Sequence, residues 1–289
     1  MVLTDYNEIQ ALLQRNGFHF SKSMGQNFLI APWVPEKIAE SASLDKATAV
    51  LEIGPGVGCL TEQLSHRADK VLAVETDRSL APVLAETLGA CSNVEVLFGD
   101  ILKQDIPTLV RERFGPERTV VCANIPYNIT SPLLTALLKA DCFVSITVMI
   151  QREVARRICA GPGTADYGAF TLLAEWYAER RILFDVPPDC FYPRPKVTSS
   201  VIRLTPRSER PYHVTDEQLL FRVIRGAFNQ RRKTLANALS SALGTDRASV
   251  TAILENCSVD PMVRGETLSL ELFVKIAEET AKMQAAGRL

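Results

Sequence analysis

The run Asn124-Ile125-Pro126-Tyr127-Asn128 sets a carboxamide, a proline-fixed backbone and a phenol ring side by side. The asparagine side-chain oxygen and a backbone carbonyl held by the proline are two acceptors, enough for both N–H groups of an exocyclic amine. A tyrosine ring next to them can stack on the base that carries the amine. An amino group held this way, its lone pair turned towards an electrophile, is arranged for N-methylation of a nucleobase. The competing reading is a proline turn with a buried tyrosine.

Three further groups suit a nucleoside ligand. Gly54-Pro55-Gly56-Val57-Gly58 lies between an apolar run and the helical stretch TEQLSHR, where glycines let the backbone approach a ligand and the helix start offers unpaired N–H groups. Glu75 ends the apolar run VLAV and can accept hydrogen bonds from both hydroxyls of a ribose. Asp100, after VLFG, can accept from an adenine amino group or cap the next helix. Glycine turn and acid together fit a nicotinamide dinucleotide as well as S-adenosylmethionine. A nicotinamide-dependent oxidoreductase, however, has no use for the tyrosine motif.

These groups are placed by what surrounds them. Apolar runs recur at 49–53, 71–74, 94–98, 119–123 and 144–150 with helical stretches between, and RILFDV (181–186) and SSVIRL (199–204) follow. Runs this uniformly apolar suit strands covered on both faces, so the pattern predicts a doubly wound, mostly parallel sheet of seven strands in an α/β domain over residues 1–205. Each motif then falls at a strand's carboxyl end, where open α/β sheets bind ligands. Beyond 206 only helical spacing is left, which predicts a small all-helical domain over 206–289. Gly161-Pro162-Gly163 reads as a loop between two helices.

The formal net charge of −1 excludes a uniformly basic protein, so a nucleic-acid partner must meet a local patch. From Arg194 to Lys233 ten Lys/Arg face three acids, Glu209, Asp216 and Glu217, giving this segment +7 and the remainder −8. Seven scattered cysteines with no C-x-x-C pair read as reduced thiols, and no metal is expected. There is no basic, apolar leader and no apolar stretch long enough to span a bilayer, so the chain reads as soluble and cytoplasmic. With no extended apolar seam, a monomer is expected.

Taken in order, Lys22-Ser23-Met24-Gly25-Gln26-Asn27-Phe28-Leu29, Glu52-Ile53-Gly54-Pro55-Gly56, Glu75, Asp100, Asn124-Ile125-Pro126-Tyr127 and Phe191-Tyr192-Pro193-Arg194-Pro195-Lys196-Val197-Thr198-Ser199 resemble the ribosomal RNA adenine dimethyltransferases, in particular the bacterial small-subunit enzymes. The resemblance runs over nearly the whole chain. It implies a Rossmann-like class I methyltransferase fold, S-adenosylmethionine as cofactor, and small-subunit rRNA in a pre-30S particle as substrate.

By that resemblance Asn27 and Leu29 close over the cofactor, Gly54 and Gly56 line its floor, Glu75 binds its ribose and Asp100 its adenine. Asn124 and Pro126 hold the target N6 amine, Tyr127 stacks on the target base, and Phe191 forms a second aromatic wall. The alternative for Phe191 is a hydrophobic plug beneath the proline loop, though an aromatic fixed between prolines is more ordered than packing alone demands. The target base must leave its stack to reach such a pocket, and the reaction is then in-line displacement at the sulfonium methyl carbon. Adenine's amine needs no strong base, in keeping with His19, His66 and His213 lying outside the motifs. Arg194, Lys196, Arg222, Arg225, Arg231, Arg232 and Lys233 are the residues expected to meet RNA phosphates, with Arg152, Arg156 and Arg157 near the site edge. The rivals within reach are the large-subunit rRNA adenine methyltransferases of macrolide resistance and noncatalytic nucleic-acid-binding relatives.

Overall fold

The computed structural model describes residues 1–20 and 25–287, so Lys22, Ser23 and Met24 of the first motif lie outside the described residues. The chain divides into two compact units, one of residues 1–155 and 179–206, the other of residues 156–178 and 207–289.

The first unit is built on seven strands: β2 (Thr48–Ile53), β3 (Lys70–Glu75), β4 (Val94–Phe98), β5 (Arg118–Asn124), β6 (Ser145–Gln151), β7 (Ala178–Val186) and β9 (Ser199–Pro206). They lie in the order β4-β3-β2-β5-β6-β9-β7. The first five in that order run parallel, and β9 is antiparallel to β6, with Gln151 opposite Ser199. Helices α1 (Tyr6–Arg15), α2 (Trp33–Ser41), α3 (Cys59–Arg67), α4 (Ala81–Leu88), α5 (Ile106–Phe114) and α6 (Thr130–Lys139) belong to the same unit, and α7 (Arg152–Cys159) follows β6. All six residues of β2 are buried, as expected of a strand covered on both faces. Those covers include α2 and α3, whose Val34, Ile38, Leu60 and Leu64 share one apolar cluster with Val50, Val71 and Val120 of the sheet. Two short strands, β1 (Phe28–Leu29) and β8 (Phe191–Tyr192), pair antiparallel apart from the main sheet, with Leu29 opposite Phe191.

The second unit holds α8 (Ala169–Tyr177), α9 (Glu217–Asn229), α10 (Leu235–Leu243), α11 (Arg247–Asn256) and α12 (Leu270–Ala285). Asp216, Asp246 and Ser269 cap α9, α11 and α12 by accepting from backbone N–H groups in the first turn. Here the expected division at 206 is corrected, because residues 156–178 belong with the helices. Trp176 Nε1 donates to Glu217 Oε2 at 2.9 Å, the Tyr177 hydroxyl donates to the other oxygen of Glu217, and the Tyr167 hydroxyl donates to the Leu268 carbonyl at 2.8 Å. Buried polar atoms need partners, and α8 finds its own on the C-terminal helices.

Candidate active site

The strand order reverses between β2 and β5, the switch point at which open α/β sheets bind ligands. A cavity of about 210 Å³ opens there, at the carboxyl ends of β2 to β5. Gly54, Gly56, Glu75 and Asp100 line it, as do Asn124, Pro126 and Tyr127. Asn27 and Leu29 line it from the β1 segment.

Backbone conformation explains the two glycines. Gly54 has φ +71° and Gly56 φ +60°, which L side chains rarely adopt. A Cβ on Gly56 would sit 3.1 Å from the Phe28 ring, so that wall is shaped by backbone. Gly58 then caps α3, which starts at the cavity. At the end of β3, Glu75 is 7% exposed and accepts from the Asp77 N–H at 2.8 Å. Burial raises its carboxyl above the usual range, against the pull of the Asp77 and Gly56 N–H groups.

Asn124, the last residue of β5, has its Nδ2 3.5 Å from the Asn27 main-chain oxygen. Its carboxamide oxygen is therefore the end left to act as an acceptor on a ligand. Ile125 donates its N–H to the Met149 carbonyl at 3.1 Å, and Tyr127 opens a short 3₁₀ turn with its ring half-buried. The Tyr127 hydroxyl lies 2.7 Å from Ser199 Oγ. Asn27 donates through Nδ2 to the Gly25 carbonyl at 3.0 Å, which steadies the β1 segment at the cavity's edge.

Other expected residues sit differently. Phe191 is 2% exposed within the apolar cluster of Leu29, Val34 and Cys190, and it does not line the cavity. Its backbone pairs with Leu29, which does line the cavity, and its ring packs in the core as the plug reading expects. Asp100 lines the cavity and also caps the next turn, accepting from Leu102 N–H at 3.0 Å. Among the basic residues, Arg222 binds the Ala242 and Leu243 carbonyls at the end of α10, and Arg231 binds the Ala165 and Tyr167 carbonyls and Glu266. Both guanidinium groups are engaged within the helical unit. Arg194 is exposed and pairs with Asp189 at 3.1 Å, while Lys196, Arg225, Arg232 and Lys233 are exposed.

One residue given no role from the sequence also lines the cavity. Glu52 is 1% exposed, and its Oε2 has no hydrogen-bond partner among the described residues. Burial pushes its carboxyl up to about 8; the nearby Thr61 hydroxyl opposes the rise and the Glu75 carboxylate adds to it. The signal was a lone acid inside the apolar strand AVLEI, where an unpaired charge is costly. Among the described residues no cluster of acids, histidines and cysteines could hold a metal ion, and no helix is long and apolar enough to cross a membrane.

A seven-stranded sheet in this order, with its pocket at the switch point, puts the chain in the Rossmann-like methyltransferase class. A solved dimethyladenosine transferase from Plasmodium falciparum is similar at TM-score 0.73 and 26% identity, over 90% of this chain and 98% of its own. The 23S rRNA methyltransferase ErmE is similar at TM-score 0.66 and 29% identity, over 87% of this chain and 98% of its own. Residues 17–282 match the model of the ribosomal RNA adenine dimethylase family, and the chain belongs to that family. Its relatives include the ribosomal RNA small subunit methyltransferase A of Lachnoclostridium phytofermentans, 45% identical over 96% of this chain and 97% of that protein. The protein of the same name from Geobacillus thermodenitrificans is 44% identical over 92% of each chain.

Proposed function

We propose that this chain transfers methyl groups from S-adenosylmethionine to the N6 amines of a pair of adjacent adenines near the 3′ end of small-subunit rRNA. The product is N6,N6-dimethyladenosine, made on a pre-30S particle in the cytoplasm. The observation that carries the reading is the corner of Asn124, Pro126 and Tyr127 on the same cavity as Glu75 and the glycine turn. Relatives named as small-subunit methyltransferases support the choice of RNA.

The residues present fit the cofactor. Glu52 supplies a buried carboxyl oxygen that lacks a partner among the described residues, and a Cβ on Gly56 would press into the wall. Glu75 would hold the ribose, Asp100 the adenine, Gly54 and Gly56 the floor, and Asn27 and Leu29 the cover. When bound, the cofactor supplies an electrophilic methyl group. The chain's part is to hold the amine: Asn124 and the main chain at Pro126 accept its two N–H bonds, and Tyr127 fixes the plane of the base. These acceptors favour a more tetrahedral nitrogen, so they bind the transition state better than the flat ground-state amine. The helical unit adds exposed cations for RNA phosphates, and the protein works as a monomer without metal.

The test is incubation with labelled cofactor and unmethylated small ribosomal subunits, beside large-subunit RNA, followed by digestion to nucleosides. Labelled dimethyladenosine from small-subunit RNA is the expected result. The similarity to ErmE makes large-subunit RNA the second reading, and label confined to that RNA would establish it.

A further inference from the structure

Ser199 is a buried serine whose hydroxyl has one partner among the described residues, and that partner belongs to the proposed base-binding corner. The inference deepens the function proposed above and rests on it. The hydroxyls of Ser199 and Tyr127 lie 2.7 Å apart, though the residues are 72 positions apart in sequence. We propose that Ser199 is a positioning residue, its hydroxyl pinning the tip of the Tyr127 ring in the plane on which the target adenine stacks.

Both ends of the tyrosine are tied to the sheet. Its backbone follows Ile125, whose N–H donates to Met149 of β6, and its own carbonyl accepts from the Thr130 hydroxyl at 3.2 Å. Its tip meets Ser199, the first residue of β9, which lies opposite Gln151 of the same β6. The residue before the serine is clamped too, since the Arg152 N–H donates to the Thr198 carbonyl at 3.0 Å. With no exposure at all, Ser199 cannot turn to water, and a buried hydroxyl without a partner is costly. The neighbouring Ser200 hydroxyl goes instead to Asp185 at 2.6 Å, so the two serines are not interchangeable. A stacking platform gains from this because displacement of a reacting group by about 1 Å can cost ~100-fold in rate.

A double-mutant cycle separates positioning from plain packing. Wild type, Ser199→Ala, Tyr127→Phe and the double variant are compared for cofactor dissociation constant and for the single-turnover rate on small-subunit RNA. A third readout is quenching of 2-aminopurine placed at the target position of an RNA fragment. Each single variant is expected to lower the rate roughly 10- to 100-fold, with cofactor affinity unchanged and quenching reduced. The double variant should match the singles rather than multiply them, because one link is being removed twice. Multiplying losses, or wild-type rate and quenching in Tyr127→Phe, overturn the proposal. Should Ser199→Ala fail to fold, Tyr127→Phe keeps the ring and decides alone by the same rate and quenching. Absence of methylated adenine from the wild type would instead defeat the proposed function, while the quenching comparison still tests the ring.

Discussion

Asn124 and Glu75 line one cavity and should fail in opposite ways. Asn124→Ala removes an acceptor aimed at the amine, so it should leave the cofactor dissociation constant near wild type and cut methyl transfer by about 10²–10³-fold, read by isothermal calorimetry and single-turnover rates. Glu75→Ala should chiefly raise that dissociation constant; an unchanged value would remove Glu75 from the ribose. Glu52 makes a pH-dependent prediction. Its carboxyl is raised from 4.5 to about 8 in the folded protein, so between those values the folded state holds a proton that the unfolded chain has released. Its contribution to stability is therefore full below about 4.5 and is lost as pH climbs to 8. The melting temperature of the ligand-free protein should fall more steeply from pH 5 to 8 than that of Glu52→Gln, and parallel slopes would show that the carboxyl ionises normally.

Phe191 sits where β8 pairs with β1, buried in the core to 2% exposure. The aromatic–proline motif favours a ligand wall over a plug, and the burial of the ring shows only once β8 lies against β1, with Leu29 opposite Phe191. Phe191→Ala should thus behave as a core truncation, costing about 3–5 kcal/mol in urea unfolding, with cofactor affinity following the folded fraction. The main strands were legible because a sheet covered on both faces demands uniform apolarity, and a strand-end motif then has one place to go. The grouping of residues 156–178 was not legible. AFTLLAEWY shows an apolar face but not its partner, and the pairing of Trp176 and Tyr177 with Glu217 joins residues about forty positions apart. Glu52 was half legible: an acid in an apolar strand stands out, but its lining of the cavity depends on how β2 ends.

Across the whole molecule, charge is unevenly spread while the total stays close to zero, and the structure divides the basic residues by what already holds them. Arg222, Arg225, Arg231, Arg232 and Lys233 are all exposed, but Arg222 and Arg231 commit their guanidinium groups to main-chain carbonyls, a cap for α10 in the first case. In the sequence these five look alike, because it shows charge and not the carbonyls within reach. The two sets should separate in a salt titration of RNA binding. Each cation paired with a phosphate displaces condensed counterions, so removing one such cation should flatten the slope of log affinity against log salt by roughly 0.7–0.9. Arg232→Ala and Lys233→Ala should each flatten it by about that amount with melting temperature unchanged. Arg222→Ala should leave the slope alone and lower the melting temperature, because two carbonyls at the end of a helix lose their donor. If all three flattened the slope equally, Arg222 would have to leave α10 when RNA binds. If none did, the RNA surface would lie outside these helices, and Arg194 and Lys196 beside β8 would be the next to titrate.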